Sequence, residues 1–210
     1  MQKIVIFDMD GTLVDSKKDI TISINYIRKL HYKLEPLSEE FVVEAINKDV
    51  RNLPKLFYGT QMYEKKDQLS FEVHYTQQCV KNPYLYDGIK ETLLSLKEQG
   101  VKISVATNAP TKFAKLMLSS LGIASLFDMI IGADEVSHSK PNPEMLLKIL
   151  DFYCFNKDND KAWMIGDNSK DIESALNAEI SALFATWGFS PKSEYKESVQ
   201  TPKEILTTVL

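Results

Sequence analysis

The sequence predicts a mixed α/β protein: a doubly wound, mainly parallel sheet with an all-helical segment inserted near its start. Three observations carry that prediction. Residues 4–7 form an unbroken apolar run rich in β-branched residues, suited to a strand buried on both faces, and the run stops at Asp8 and Asp10. From about residue 83 onward, short apolar runs alternate with helical periodicity, the rhythm of parallel strands joined by right-handed crossovers. Between residues 15 and 82 the pattern is helical only. The expected division is a core made of residues 1–14 and 83–210 and a helical insert of residues 15–82.

Asp15 or Ser16 opens the first helix of the insert, on which Ile20, Ile24, Ile27 and Leu30 recur at helical spacing. Ser38 before Glu39 and Glu40 starts a second, with Phe41, Val42, Ala45 and Ile46 as its apolar stripe. A third begins near Arg51 or Pro54. The fourth spans about residues 62–80, with Met62, Leu69, Val73 and Cys79 as its apolar positions, and stops before Asn82 and Pro83.

In the core, a helix over residues 88–99 closes at Gly100 and a buried strand over residues 101–106 follows. Pro110 opens a helix that ends at Gly122. Gly132 breaks a strand over residues 128–131, and Pro143 starts a helix running to residue 150. A fourth strand covers residues 162–165, the next helix begins near Asp171, and a fifth strand covers residues 180–185. A loop and a short terminal helix complete the chain.

The chain has 210 residues, 44% of them hydrophobic, enough for one sizeable core and a smaller unit. No apolar run approaches the ~18 residues of a membrane span, and the start lacks a secretory signal pattern, so a cytoplasmic protein with no membrane association is expected. A net charge of -4 leaves no basic footprint for nucleic acid. A small anionic partner must then be drawn in by a few local cations. The two cysteines, Cys79 and Cys154, sit in helical patterns and are expected as buried free thiols.

Asp8 and Asp10 lie two residues apart, so in an extended backbone both face one way while Met9 turns inward, and Gly11 lets the chain bend. Two converging carboxylates suit a hard cation such as Mg2+, a nucleophile with an acid/base partner, or both. A calcium loop from Asp8 fails on spacing, because its twelfth position is Asp19, where such a loop requires Glu. In a parallel sheet the carboxyl ends of the strands share one edge. Asp8 and Asp10, Thr107 and Asn108, the Lys140 loop, and Asp167 with Asp171 all fall there.

These residues resemble the haloacid dehalogenase superfamily, in its phosphatase branch with a helical cap and a Rossmann-like core, and within it phosphoglycolate phosphatase-like members. The matching motifs are Asp8-Met9-Asp10-Gly11-Thr12-Leu13 with Asp15-Ser16, Thr107-Asn108, Lys140-Pro141, and Gly166-Asp167 with Asp171. The resemblance implies a phosphomonoester hydrolase in which Asp8 is the nucleophile and forms an aspartyl-phosphate, and Asp10 is the acid and then the base. It implies Mg2+ held by Asp8, the Asp10 carbonyl and Asp167, with Asp171 behind them holding Lys140 or a metal-bound water. Thr107, Asn108 and Lys140 would bind the phosphoryl group, and the helical insert would act as a lid. Lys48 and Arg51, at the cap loop, are candidates to pair with a glycolate carboxylate.

The implied partner is a small phosphorylated metabolite such as 2-phosphoglycolate, taken by a monomer or homodimer. Phosphatases for a nucleotide, a sugar phosphate or pyrophosphate, and phosphosugar mutases, share these motifs, as does a non-catalytic phosphate-binding protein on the same fold. The chain departs from the family pattern at Asn168, at Tyr86-Asp87-Gly88, before Ile180, and near Asn47, where a glycine is usual.

Overall fold

The structure is a computed structural model that describes residues 1–48, 51–190 and 195–210. The chain divides into two compact units, Met1–Asp15 with Leu85–Leu210, and Ser16–Tyr84. The chain begins with β1 (Lys3–Phe7) and the short β2 (Val14–Asp15). It continues through α1 (Lys17–Ile27), α2 (Glu39–Asn47), α3 (Leu53–Tyr58), α4 (Lys65–Gln78) and the short β3 (Tyr84–Leu85). Then come α5 (Ile89–Glu98), β4 (Lys102–Thr107), α6 (Thr111–Ser120), β5 (Met129–Gly132) and α7 (Glu144–Phe152). The last elements are β6 (Lys161–Gly166), α8 (Ser169–Asn177), β7 (Ser181–Ala185), β8 (Ser198–Val199) and α9 (Pro202–Val209).

The first unit holds a sheet of order β5-β4-β1-β6-β7-β8 whose neighbouring strands all run parallel; β2 and β3 form a separate two-stranded sheet. The α/β class with a doubly wound parallel sheet is as expected. Ile4, Val5, Ile6 and Phe7 of the central strand are fully buried. Ile4 and Ile6 pack against Met145, Leu146 and Ile149 of α7 and Ile172 and Ala175 of α8. Val5 and Phe7, by alternation, face the other side. Each such side chain contributes about 1.5–3 kcal/mol by leaving water.

Register then positions the site. Phe7 aligns with Val105 of β4 and with Ile165 of β6, so the three central strands end nearly level. The chain winds outward from β1 through β4 to β5, then returns to build β6, β7 and β8 on the other side. Winding reverses at β1, where an open α/β sheet leaves a crevice at its carboxyl edge.

Several local expectations are corrected. Gly132 ends β5 from within, pairing with Thr107, and its missing side chain admits close neighbours. A Cβ there would lie 2.4 Å from both the Ala109 oxygen and the Thr111 nitrogen. The sheet gains a sixth strand, β8, whose two residues pair with Phe184 and Ala185 and are too few to carry a readable alternation. Cys154 is exposed in a left-handed turn after α7, whereas Cys79 is buried, and neither is in a disulfide.

The regular elements of the second unit between residues 17 and 78 are helices, with a core of Ile24, Ile27, Val42, Ala45, Phe57 and Tyr58. Leu30 leaves the apolar stripe of α1 because the helix passes into a π-helical turn, Arg28–Tyr32, whose longer hydrogen-bond step rotates later residues outward. Helix α4 starts at Lys65, so Met62, 73% exposed, lies before it; on the helix Leu69 and Val73 are 55% and 67% exposed, and of the expected stripe Cys79, just past its end, is buried. The buried face carries Asp67, Tyr75 and Gln78, and its polar groups are satisfied. Asp67 lies 2.6 Å from His31 Nδ1 and accepts from the Tyr32 hydroxyl at 2.5 Å, and Gln78 donates to Asp19 at 2.7 Å. A fully hydrogen-bonded polar face can be buried, and a count of apolar periodicity does not see it.

Burial alone would raise the Asp67 carboxyl, but hydrogen bonds from His31 and Tyr32 and the His31 charge hold it below its ordinary value. A carboxyl whose folded pKa is depressed stabilises the fold above its unfolded value and loses that contribution as pH falls through the folded one. Asp67→Ala is therefore expected to destabilise the helical unit by about 1–3 kcal/mol at pH 7. The difference in unfolding temperature between wild type and variant should narrow below about pH 4.

Candidate active site

Strand β1 delivers Asp8 directly to the carboxyl edge. Its backbone N–H still donates to the Ile165 oxygen at 2.8 Å, so the strand geometry fixes the residue before the chain turns. The turn is tight: the N–H groups of Leu13 and Val14 both donate to the Met9 oxygen, and Gly11 takes a left-handed φ of +87° that favours glycine. Met9 is buried, whereas Asp10 is half-buried and forms a bridge with Val14.

Lys140, 3% exposed, reaches in from the loop between β5 and α7. Its ammonium donates to Asp8 Oδ1 at 2.7 Å, to Asp171 Oδ1 at 2.6 Å and to the Ala106 carbonyl at 2.7 Å. An ammonium has three protons, and each has an acceptor here. The cost of burying the charge is offset by two carboxylates and a carbonyl, so the lysine stays firmly protonated: burial works against it, but Asp171 and Asp8 outweigh that. Asn108 braces the same residue, accepting from the Lys140 N–H at 3.0 Å and donating to its carbonyl at 2.9 Å. The Lys140-Pro141 peptide is cis.

Asp167 follows β6 and Asp171 lies in the first turn of α8. Asn168 caps that helix in a capping box, in which the second oxygen of Asp171 accepts from the Asn168 N–H at 3.1 Å. Asp167 Oδ1 accepts from the Thr12 hydroxyl at 3.1 Å, and Oδ2 accepts from the N–H groups of Phe189 and Ser190 at 2.7 and 3.3 Å. Thr107, buried at the end of β4, accepts from the Ala109 N–H at 3.1 Å, so its own hydroxyl proton is not spent on that bond.

Asp8, Asp167 and Asp171 offer carboxylate oxygens within 4.8 Å of one another, all three residues buried. Burial raises the Asp8 carboxyl well above its ordinary value, with Lys140 opposing and Asp171 and Asp167 reinforcing. Asp167 is pushed up to about 7, chiefly by burial and next by Asp171. Three buried carboxylates against one ammonium leave an excess of negative charge. An all-oxygen donor set with that surplus fits a hard divalent cation, which would reverse both shifts.

Of the residues singled out in the sequence, Asp8, Lys140, Asp171 and Asn108 form one hydrogen-bonded network, Asp167 offers an oxygen within 4.8 Å of Asp8 and Asp171, and Asp10 and Thr107 stand beside them in the chain. Lys48 and Arg51 lie in the helical unit. Lys48 pairs with Glu44 at 2.9 Å, and Arg51 donates to the carbonyls of Ile46 and Lys48. Sequence reasoning missed Thr12 as a partner of Asp167, and the turn at residues 187–190. The turn's only signal is one glycine in a loop.

The parallel sheet thus gathers a buried carboxylate cluster at its carboxyl edge, the place where open α/β sheets hold their ligands. The family model for haloacid dehalogenase-like hydrolases matches residues 5–185, and the chain belongs to that family, among its phosphatases. A phosphoglycolate phosphatase from Aquifex aeolicus is 32% identical over 187 residues, covering 89% of this chain and 86% of the relative. An N-acetylmuramic acid 6-phosphate phosphatase from Pseudomonas aeruginosa is 30% identical over 190 residues, covering 89% and 83%. A crystal structure described as a predicted phosphoglycolate phosphatase from Haemophilus somnus superimposes with a TM-score of 0.83 at 25% identity, covering 100% of this chain and 98% of the other. Among the described residues, no helix is long and apolar enough to cross a membrane.

Removing the ammonium leaves Asp8 and Asp171 facing each other without compensation. Lys140→Met should destabilise the metal-free protein by about 3–5 kcal/mol in denaturant unfolding. Adding Asp171→Asn to that variant should recover part of the loss, whereas strictly additive effects would show that the ion pair is not coupled.

Proposed function

We propose that this phosphatase is a Mg2+-dependent phosphomonoester hydrolase that works through an aspartyl-phosphate on Asp8 and acts on a small metabolite such as 2-phosphoglycolate. The observation that supports it most is the position of Asp8: buried, at the end of the central strand, 2.7 Å from Lys140 and within a surplus of carboxylates. The names of several relatives support the choice of 2-phosphoglycolate. A second reading, a sugar-phosphate substrate, is supported by the relative named for N-acetylmuramic acid 6-phosphate.

In this reading an oxygen of Asp8 attacks phosphorus, the ester P–O bond breaks, and Asp10 gives its proton to the departing alkoxide. Asp10 then takes a proton from water as that water attacks the acyl phosphate, which releases inorganic phosphate and restores Asp8. Thr107 donates its hydroxyl proton to a phosphoryl oxygen. Lys140, with each of its protons already engaged, orients Asp8 and lowers the repulsion that an incoming phosphate meets; a phosphoryl oxygen reaches it only by displacing an acceptor. Asn108 holds Lys140 in place through its backbone. Asp8, the Asp10 carbonyl and Asp167 are the residues that would hold Mg2+, with Asp171 behind them on Lys140. When bound, the metal supplies positive charge to the phosphoryl oxygens and aligns them for displacement.

Lys48 and Arg51 are the proposed partners of a substrate carboxylate. On that reading Lys48→Ala or Arg51→Ala raises KM for phosphoglycolate far more than for an aryl phosphate without a carboxylate, and equal changes on both substrates remove the assignment. The phosphatase reading itself is checked with an aryl phosphate: hydrolysis should require Mg2+ and be lost in Asp8→Asn. A wild type no faster than that variant contradicts it.

A further inference from the structure

Asp167 is gripped by a turn that the proposed chemistry leaves without a role. Residues 187–190 follow β7, and the N–H groups of Phe189 and Ser190 donate to Asp167 Oδ2 at 2.7 and 3.3 Å. Trp187 Nε1 donates to the carbonyl oxygen of Thr12 at 3.0 Å. The same turn thus fastens the bend from which the Thr12 hydroxyl reaches Asp167 Oδ1 at 3.1 Å. Gly188 lies between the two. A Cβ on it would stand 2.2 Å from the Gly11 carbonyl oxygen and 2.3 Å from Asp167 Cβ. These are not the far ends of flexible side chains, so neither can give way cheaply. Gly188 does not have a left-handed φ; the demand for glycine here is space, not torsion.

We propose that residues 187–190 are a positioning element for Asp167, setting the direction of both its carboxylate oxygens toward a divalent cation while clamping the Gly11-Thr12 bend against them. The proposal rests on the reading of Asp167 as a metal ligand. A carboxylate buried without fixed donors can rotate about its terminal torsion or take up a proton. One that accepts from three donors in fixed directions cannot rotate freely and keeps its remaining lone pairs aimed one way. Asp167 accepts from Thr12, Phe189 and Ser190, and its oxygens lie within 4.8 Å of those of Asp8 and Asp171. Partners of this kind, one step behind the ligand, typically change metal affinity by about 10–100-fold when lost.

The test titrates MgCl2 into the metal-free, full-length protein by isothermal titration calorimetry, with the metal-free unfolding temperature measured alongside. Gly188→Ala is expected to weaken Mg2+ binding by about 10–100-fold. Gly188→Ala is also expected to lower the metal-free unfolding temperature, because its Cβ is forced against backbone, whereas Trp187→Phe, which keeps an aromatic ring and removes one donor, is expected to weaken Mg2+ binding by a smaller factor with that temperature little changed. A lowered unfolding temperature with unaltered Mg2+ affinity would mean a packing role only and overturns the proposal. Should Gly188→Ala not fold, wild-type affinity in Trp187→Phe overturns it equally. Asp167→Asn separates the two layers of argument. Loss of Mg2+ binding in Asp167→Asn with wild-type binding in Gly188→Ala removes the positioning role alone, whereas wild-type binding in Asp167→Asn removes the ligand reading beneath it.

Discussion

A single buried ammonium, shared by Asp8 and Asp171, is the interaction on which the site depends. Lys140 lies more than 130 residues from Asp8 in the chain, and the ion pair that joins them is 2.7 Å long at 2% and 9% side-chain exposure. Groups so far from water are tolerated only when geometry is excellent and every proton and lone pair is answered. The surrounding structure supplies that geometry. The level ends of β1 and β6 set Asp8 beside Gly166, Asn108 brackets the Lys140 peptide from both sides, and the capping box at α8 fixes the second oxygen of Asp171.

Glycine placement serves the same end by letting backbone and carboxylates approach closely. At Gly166 a Cβ would collide with Asp171 at 2.3 Å, and at Gly11 it would collide with Asp167 at 2.5 Å. These contacts leave three carboxylates in a small volume with one positive charge among them. Burial, reinforced by the neighbouring carboxylates, raises Asp8 and Asp167 above the usual carboxylate range. A site built only for stability would place apolar residues there or add a second cation. The surplus of negative charge is what a divalent ion would relieve, which is why charge balance and chemistry point the same way.

Much of this was legible in the sequence because of where strands must end. An apolar run buried on both faces identifies β1, and carboxylates at its end are costly unless they serve a site, so Asp8 could be read directly. Thr107, Lys140 and Asp167 could be read because parallel connections place strand ends on one edge. What could not be read lacked a periodic or compositional signal. β8 has two residues, the turn at residues 187–190 acts through backbone N–H groups, and Thr12 acts through a hydroxyl whose partner is 155 residues away. In α4 the signal itself misled, since Asp67 and Gln78 are buried by hydrogen bonding while Leu69 and Val73 face outward. Cys154 was misread for a related reason: apolar neighbours in sequence do not bury a residue that sits in a left-handed turn.

As a nucleophile, Asp8 depends on a cation to relieve the charge around it. The most direct measurement is acid-quenched peptide mass spectrometry of the enzyme during turnover of a phosphomonoester, with Mg2+ and with a chelator. A phosphoryl group on the peptide containing Asp8, present with Mg2+ and absent with chelator, is the predicted result. Turnover with no adduct on that peptide, or an adduct that forms equally without the metal, would contradict it.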